Sequence, residues 1–315
     1  MSTDDPTATG PDEHGQSTTV PGPSDDAGVP GPGIGAPLFV GHLDEGLDGA
    51  LRELASRPTI LVALDFDGVL APLVLDPTQS RIVPTSVAAL ADLADLPGVT
   101  LALVSGREAR VLVSLAEVPA GTRVVGSHGS EHGRTGLSPL GEAALEAEPL
   151  QLTAEEAALH ARVLRDAEAL VGPVPDAWLE AKPASVVVHT RRCAPEDGAR
   201  LTRAILDGPG SLPGLRVQEG KEVVEMAVLH TTKGDAVVEL RAETGADAVL
   251  FAGDDRTDED AFSILLPGDV GIKVGDGSTA AGYRVADPDE FSAVLLRLVQ
   301  LRTEGSARGE VPDLP

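Results

Sequence analysis

The chain has 315 residues and a formal net charge of −26, which excludes nucleic acid and an anionic membrane surface as partners, since both are held by basic patches. Apolar residues make up 42% but aromatic ones only 2%, so a core has to rest on Val, Leu, Ile and Ala. No apolar run is long enough to span a bilayer, no secretory leader is visible, and the single cysteine, Cys193, can close no internal disulfide, so a cytoplasmic setting is expected.

Residues 1–37 hold seven Pro and seven Gly with no Lys or Arg. Such a stretch buries too little apolar surface to offset its ordering entropy, so a disordered tail is expected. An amphipathic helix is expected over about Leu43–Arg57, and Thr59–Leu64 is a short apolar run that ends in carboxylates. Helical spacing returns over Ser86–Leu96, followed by an apolar run at Val99–Val104, a helix over Glu108–Leu115 and a short strand at Arg123–Gly126. The middle of the chain behaves differently. A helix is expected over Thr153–Val171, where Leu159, Val163, Leu164, Ala167 and Leu170 share one face, then strands at Ser185–Thr190, Arg216–Gln218 and Val223–Ala227 around a helix at Pro195–Leu206. A helix near Lys233–Glu243, a strand at Ala248–Ala252, a helix after Thr257 and a strand at Val270–Val274 follow, and from about Arg302 the sequence again reads as a tail.

Buried apolar runs alternating with helices indicate an α/β fold, a doubly wound parallel sheet covered on both faces, with an α+β unit inserted into it. The expected boundaries are a tail at 1–37, a core at 38–135 and 231–303, the insert at 136–230 and a flexible tail at 304–315. In such sheets ligands sit beyond the carboxyl ends of the strands.

Four motifs fall at those places. Asp65-Phe66-Asp67-Gly68-Val69 follows the first strand, and carboxylates at i and i+2 point the same way. Their like charges favour a bound cation, and a carboxylate attacking phosphorus needs the neutralisation that magnesium supplies; an Asp-rich turn with a positive φ at Gly68 fits the same residues. Ser105-Gly106-Arg107 puts a hydroxyl and backbone N–H groups at a helix start, which suits an anion, though Ser is also a common N-cap. Lys233 opens a helix at the end where the dipole disfavours a cation, so either an anion lies close by or the lysine is on the surface. Gly253-Asp254-Asp255-Arg256-Thr257-Asp258-Glu259-Asp260 puts five acids in seven positions. Oxygen-only ligands suit magnesium rather than zinc, the other reading being a solvated acidic loop.

With these motifs in this order on one parallel sheet, the sequence over about residues 58–300 resembles the haloacid dehalogenase superfamily. The resemblance implies that Asp65 is a nucleophile that becomes an aspartyl phosphate, and that Asp67 protonates the leaving alkoxide and then activates water. It implies that Ser105 and Lys233 hold the phosphate. It further implies that Mg2+ is held by Asp65, Asp254 and the Asp67 carbonyl, with Asp258 in support. Val69 stands where the superfamily usually has Thr, which removes a hydroxyl but no catalytic group.

The inserted unit resembles the cap of the trehalose-6-phosphate phosphatases. Gly126-Ser127-His128-Gly129-Ser130-Glu131 matches that family's signature near the core–cap junction. Leu179-Glu180-Ala181-Lys182, followed by Ser185 and His189-Thr190-Arg191, matches one cap strand, and Gly220-Lys221-Glu222-Val223-Val224-Glu225 matches a second. Beyond Glu225 the chain reads Met226-Ala227, where the family usually continues Val-Arg-Pro. The resemblance implies a small-molecule sugar phosphate bound by Gly106, Arg107, His128, Glu131, Glu180, Lys182, His189, Arg191 and Glu225. It also implies hydrolysis of trehalose 6-phosphate as the last step of trehalose biosynthesis, in association with trehalose-6-phosphate synthase. Sucrose 6-phosphate, mannosyl-3-phosphoglycerate and a non-catalytic, sugar-phosphate-binding subunit of a synthase complex stay open. Taken singly, Glu180 and Lys182 also fit a half-exposed strand and His128 a core histidine, while Trp178 suits either a sugar face or the cap core. Lys273, Arg192 and Cys193 read as structural or surface residues.

Overall fold

Leu61 and Ala63 alternate with Ile60, Val62 and Leu64 along the first strand, and both sets are buried because helices cover both faces of its sheet. The computed structural model describes residues 43–138, 143–148 and 150–308, so the tail expected at 1–37 lies outside the described residues. In chain order the elements are α1 (Glu45–Ala55), β1 (Ile60–Leu64), α2 (Pro84–Ala94), β2 (Val99–Val104), α3 (Ala109–Leu115), β3 (Arg123–Gly126), β4 (Glu131–Leu137) and β5 (Ala143–Ala147). They continue with α4 (Ala154–Val171), β6 (Trp178–Ala181), β7 (Ser185–His189), α5 (Pro195–Asp207), β8 (Arg216–Gly220) and β9 (Val223–Ala227). The chain then returns through α6 (Lys233–Thr244), β10 (Ala248–Gly253), α7 (Glu259–Phe262), β11 (Val270–Val274), β12 (Tyr283–Val285) and α8 (Pro288–Ala307).

Eight strands form one sheet in the order β12-β11-β10-β1-β2-β3-β4-β5, parallel from β12 to β3 and antiparallel in β4 and β5. Helices α1, α2, α3 and α8 cover one face and α6 and α7 the other. A second, antiparallel sheet of four strands has the order β6-β7-β9-β8. Its residues Val186, Val188, Val224 and Met226 pack on α4 and α5, which leaves the other face to polar side chains.

Two expectations are corrected. The core–insert boundary expected at 136 falls inside β4, because β4 pairs with β3 and β5 pairs with β4, making this hairpin part of the large sheet. Glycines and charged residues hide the alternation of β4 from a sequence reading. The tail expected from about Arg302 is instead the last turns of α8, and the flexible tail expected from 304 starts no earlier than the end of that helix at Ala307. Arg302 is fully buried. Its guanidinium donates to the carbonyls of Ala55, Arg57, Pro58 and Pro97, which lie at the end of α1 and in the turns before β1 and β2. One side chain thus satisfies four backbone acceptors from three separate segments.

Arg302→Met keeps most of the apolar stem and removes these donors, so it is expected to lower unfolding stability by about 2–4 kcal/mol. Urea unfolding of the two proteins checks this, and equal midpoints would contradict it.

Candidate active site

The carboxyl ends of β1, β2, β3 and β10 and the start of α6 meet at one place. Asp65 follows β1 directly and is buried, with its backbone N–H donating to Ala252 O of β10 at 3.0 Å. Its Oδ2 accepts from Lys233 Nζ at 2.7 Å, and its Oδ1 accepts from the Phe66 N–H at 2.6 Å. Lys233 is the first residue of α6, whose start is set by a capping box: Thr232 Oγ1 accepts from the Asp235 N–H, and Asp235 accepts from the Thr232 N–H. The same ammonium donates to Asp258 Oδ1 at 2.7 Å. Burial by itself disfavours the Lys233 ammonium, but Asp65 and Asp258 outweigh it and hold the group above the ordinary lysine range.

The loop after β10 supplies the remaining carboxylates. Asp258 Oδ2 accepts from the N–H groups of Asp254 and Asp255 at 2.9 and 3.0 Å, so Asp258 is fully engaged in holding Lys233 and this loop. The Asp254 carboxylate, by contrast, has no hydrogen-bond partner among the described residues. It lies where a Cβ on residue 68 would be, 2.1 Å from Asp254 Oδ2, so only glycine fits there, and its φ of +76° agrees. Burial first, then the charges of Asp255 and Asp258, push the Asp254 carboxyl up to about 7. Asp65 and Asp258 are raised as well, chiefly by burial and against the pull of Lys233.

Carboxylate oxygens of Asp65, Asp254 and Asp258 lie within 4.8 Å of one another. Self-repelling acids with an unpartnered member and only oxygen donors fit a hard divalent cation. Among them only the Asp254 carboxylate is free of hydrogen bonds, and Asp65, with one donor on each oxygen, lies beside it.

Asp67 is held differently. Arg107 forms a two-pronged pair with it, Nε to Oδ2 at 2.5 Å and Nη2 to Oδ1 at 2.7 Å, and Ser80 Oγ donates to Oδ1 at 3.1 Å. The Arg107 guanidinium also lies over the Phe66 ring at 5.4 Å. Ser105 is buried at the end of β2, its Oγ accepting from the Arg107 N–H at 3.3 Å. Gly106 must be glycine because a Cβ would sit 2.4 Å from the His128 ring, and its carbonyl accepts from Lys182 Nζ at 3.3 Å.

That last contact brings the second sheet over the first. Glu225 accepts from Ser185 Oγ at 2.7 Å and from Lys182 at 3.5 Å, and it lies 3.6 Å from His128 Nε2. His128 Nδ1 is buried without a partner. Its imidazole is pushed down to about 4, by burial first and then by Lys233, Lys182 and Arg216 against the opposing effect of Glu225, so it is neutral near pH 7. Glu180 accepts from His189 Nε2 at 2.9 Å, which lowers its pKa, and His189 stacks on Trp178. The Arg192 guanidinium lies over the same indole. Trp178 is thereby engaged by protein groups.

Two expected residues stand apart from this cluster. Glu131 Oε2 accepts from the Ala109 N–H at 3.0 Å and from Ser127 Oγ at 2.8 Å, so it caps α3 and fixes the strained Ser127–His128 turn. Arg191 is exposed and its ion pair is with Glu222 at the β8–β9 turn. Two residues that sequence reasoning did not select have a part here. Ser80 is buried in an irregular loop with no periodicity to mark it. Lys273 is buried in β11 and donates to the Asp254 carbonyl, and the signal for it was a lone cation inside an apolar strand.

The His128 environment predicts a pH effect on stability. The unfolded imidazole gains its proton near 6.5 and the folded one near 4, so the unfolded state binds more protons between those values and stability falls as pH drops through that window. His128→Asn tolerates the left-handed backbone, φ 56°. It should remove on the order of 2–3 kcal/mol of that pH dependence, measured as urea stability at pH 7 and pH 4.5. Parallel curves for the two proteins would refute this.

The trehalose-phosphatase family model matches residues 63–289. A trehalose-phosphate phosphatase of Mycobacterium marinum is 33% identical over 282 residues, covering 84% of this chain and 69% of that protein. A bifunctional trehalose-6-phosphate synthase/phosphatase of Thermoproteus tenax is 29% identical over 256 residues, covering 80% of this chain and 33% of that protein. Among solved structures, the C-terminal domain of Candida albicans trehalose-6-phosphate phosphatase shares the fold, with a TM-score of 0.63 at 20% identity, covering 81% of this chain and 97% of that one. The chain therefore belongs to the trehalose-phosphatase family.

Proposed function

We propose that this phosphatase hydrolyses trehalose 6-phosphate to trehalose and phosphate, with Asp65 as nucleophile and Mg2+ as cofactor. The observation that carries the proposal is the Lys233 ammonium fixed between Asp65 and Asp258, next to an Asp254 carboxylate without a partner. In this reading Asp65 Oδ1 or Oδ2 attacks phosphorus and the bond to the sugar oxygen breaks. Ser105 Oγ, the N–H groups of the Gly106–Arg107 turn and Lys233 hold the phosphate oxygens. Magnesium held by Asp65, Asp254 and the Asp67 carbonyl would offset the negative charge of the incoming phosphate. Asp67 gives its proton to the departing sugar oxygen and then takes one from the water that opens the aspartyl phosphate. For the first of these roles Asp67 has to leave the Arg107 fork, because both of its oxygens are engaged there.

The polar face of the four-stranded sheet supports a sugar as the leaving group. Glu180, Lys182 and Glu225 provide charge-assisted partners for hydroxyls, and His128 adds an imidazole nitrogen without a partner among the described residues. Residues 136–230, with the correction at β4–β5, act in this proposal as a cap, and His189 orients Glu180. Association with a trehalose-6-phosphate synthase belongs to the same proposal, supported by the relative that carries both activities in one chain. A cytoplasmic setting also belongs to it, supported by the single cysteine; no helix among the described residues is long and apolar enough to cross a membrane.

Phosphate release from trehalose 6-phosphate, sucrose 6-phosphate, mannosyl-3-phosphoglycerate and an aryl phosphate tests the reading. Trehalose 6-phosphate should lead the panel, chelation should stop turnover, and magnesium but not zinc should restore it. Asp65→Asn should lower kcat by at least about a thousandfold with an unchanged melting temperature. Near-normal turnover by a folded Asp65→Asn protein, or full activity after metal stripping, would sink the proposal.

A further inference from the structure

The polar face of the four-stranded sheet is built of cross-strand rows. Glu180, Val187, Glu225 and Gln218 lie opposite one another in one row. The adjoining row is Lys182, Ser185, Ala227 and Arg216, with the Lys182 N–H donating to Ser185 O and Ala227 paired on either side with Ser185 and Arg216. Residues directly opposite in a sheet project from the same face, so Arg216 shares the face of Glu225 and Lys182, the face that meets Gly106 and His128 of the large sheet. Lys182 and Arg216 stand at the two edges of that row, roughly 14 Å apart across three strand spacings. Between them are only the small side chains of Ser185 and Ala227.

The two cations differ in their partners. Lys182 bonds to the Gly106 carbonyl and to Glu225. The Arg216 side chain has no hydrogen bond and no ion pair with any described residue, and its Nε is buried and unsatisfied. A buried guanidinium N–H without an acceptor is unfavourable, and a ligand oxygen at that place would relieve it. The position has a further meaning. Ala227 is the direct cross-strand neighbour of Arg216, so Arg216 is the polar group at that end of the row.

We propose that Arg216 is a further specificity-determining residue, donating hydrogen bonds from its guanidinium to hydroxyl oxygens of the sugar phosphate at the opposite end of the row from Lys182. This rests on the sugar-phosphatase reading above and adds a residue outside the matched motifs. Arg216 is on an edge strand, so its loss leaves the core of the insert intact.

The test compares wild type, Arg216→Ala and the double variant Arg216→Ala/Ala227→Arg on the best sugar phosphate of the panel and on an aryl phosphate. Arg216→Ala should lower kcat/KM for the sugar phosphate by about 10- to 100-fold, mainly through KM, and leave the aryl phosphate within about twofold. The double variant returns a guanidinium to the same face about 5 Å away and should recover at least about tenfold of the loss. Binding of unphosphorylated trehalose, read from the fluorescence of the single tryptophan, Trp178, should weaken in step. An unchanged sugar-phosphate kcat/KM in Arg216→Ala overturns the proposal. An equal fall on both substrates does so too, since it would place the guanidinium on the phosphate or in the fold. If wild type prefers a different sugar phosphate, the trehalose reading fails and Arg216 is judged on that sugar. A wild type preferring no sugar phosphate over the aryl ester overturns both.

Discussion

An ammonium taken out of water is stable only where anions surround it, and Lys233 is surrounded by Asp65 Oδ2 and Asp258 Oδ1, each at 2.7 Å. These three residues come from the end of β1, the start of α6 and the loop after β10. Asp258 then uses its second oxygen to hold the N–H groups of Asp254 and Asp255. The capping box that starts α6 at Lys233 and the parallel pairing of β1 with β10 therefore serve one purpose: they bring a cation and three carboxylates to one point. Because the ammonium has two carboxylate partners, Asp258 still compensates it when Asp65 is neutralised.

The charge of the whole molecule sharpens this. At −26 the chain repels a phosphate dianion at long range, so the attraction has to be local. Of the four lysines, Lys182, Lys233 and Lys273 are in or directly behind the site, one holding the Gly106 carbonyl, one Asp65 and one the Asp254 carbonyl. Arg107 is committed to Asp67 in this arrangement. The site thus has its positive charge committed to ion pairs with its own acids.

Much of this was legible because it depends on short-range rules. Apolar runs marked β1, β2, β10 and β11, and the acids at their carboxyl ends marked the site, since strand ends in a parallel sheet open on one crevice. What stayed hidden depends on partners distant in sequence. Arg302 looked like tail because nothing local shows that Ala55, Arg57, Pro58 and Pro97 present it with carbonyls. The β4 strand, rich in Gly and charge, is a strand only because β3 offers it an edge. Glu131 lies in a matched motif, yet its described bonds are to Ala109 and Ser127. Arg216 carried no local signal either, and its place became visible only through the register that sets it opposite Ala227.

The central claim is that Asp65, held by Lys233, forms the bond to phosphorus. Its most direct test is to quench a single turnover of trehalose 6-phosphate in acid, reduce the protein with borohydride and map the products by mass spectrometry. An acyl phosphate reduces to the alcohol of the same side chain, so homoserine at position 65 alone is the predicted result. Homoserine at another carboxylate, or an unmodified Asp65 in protein quenched at the peak of phosphate incorporation, would contradict the account.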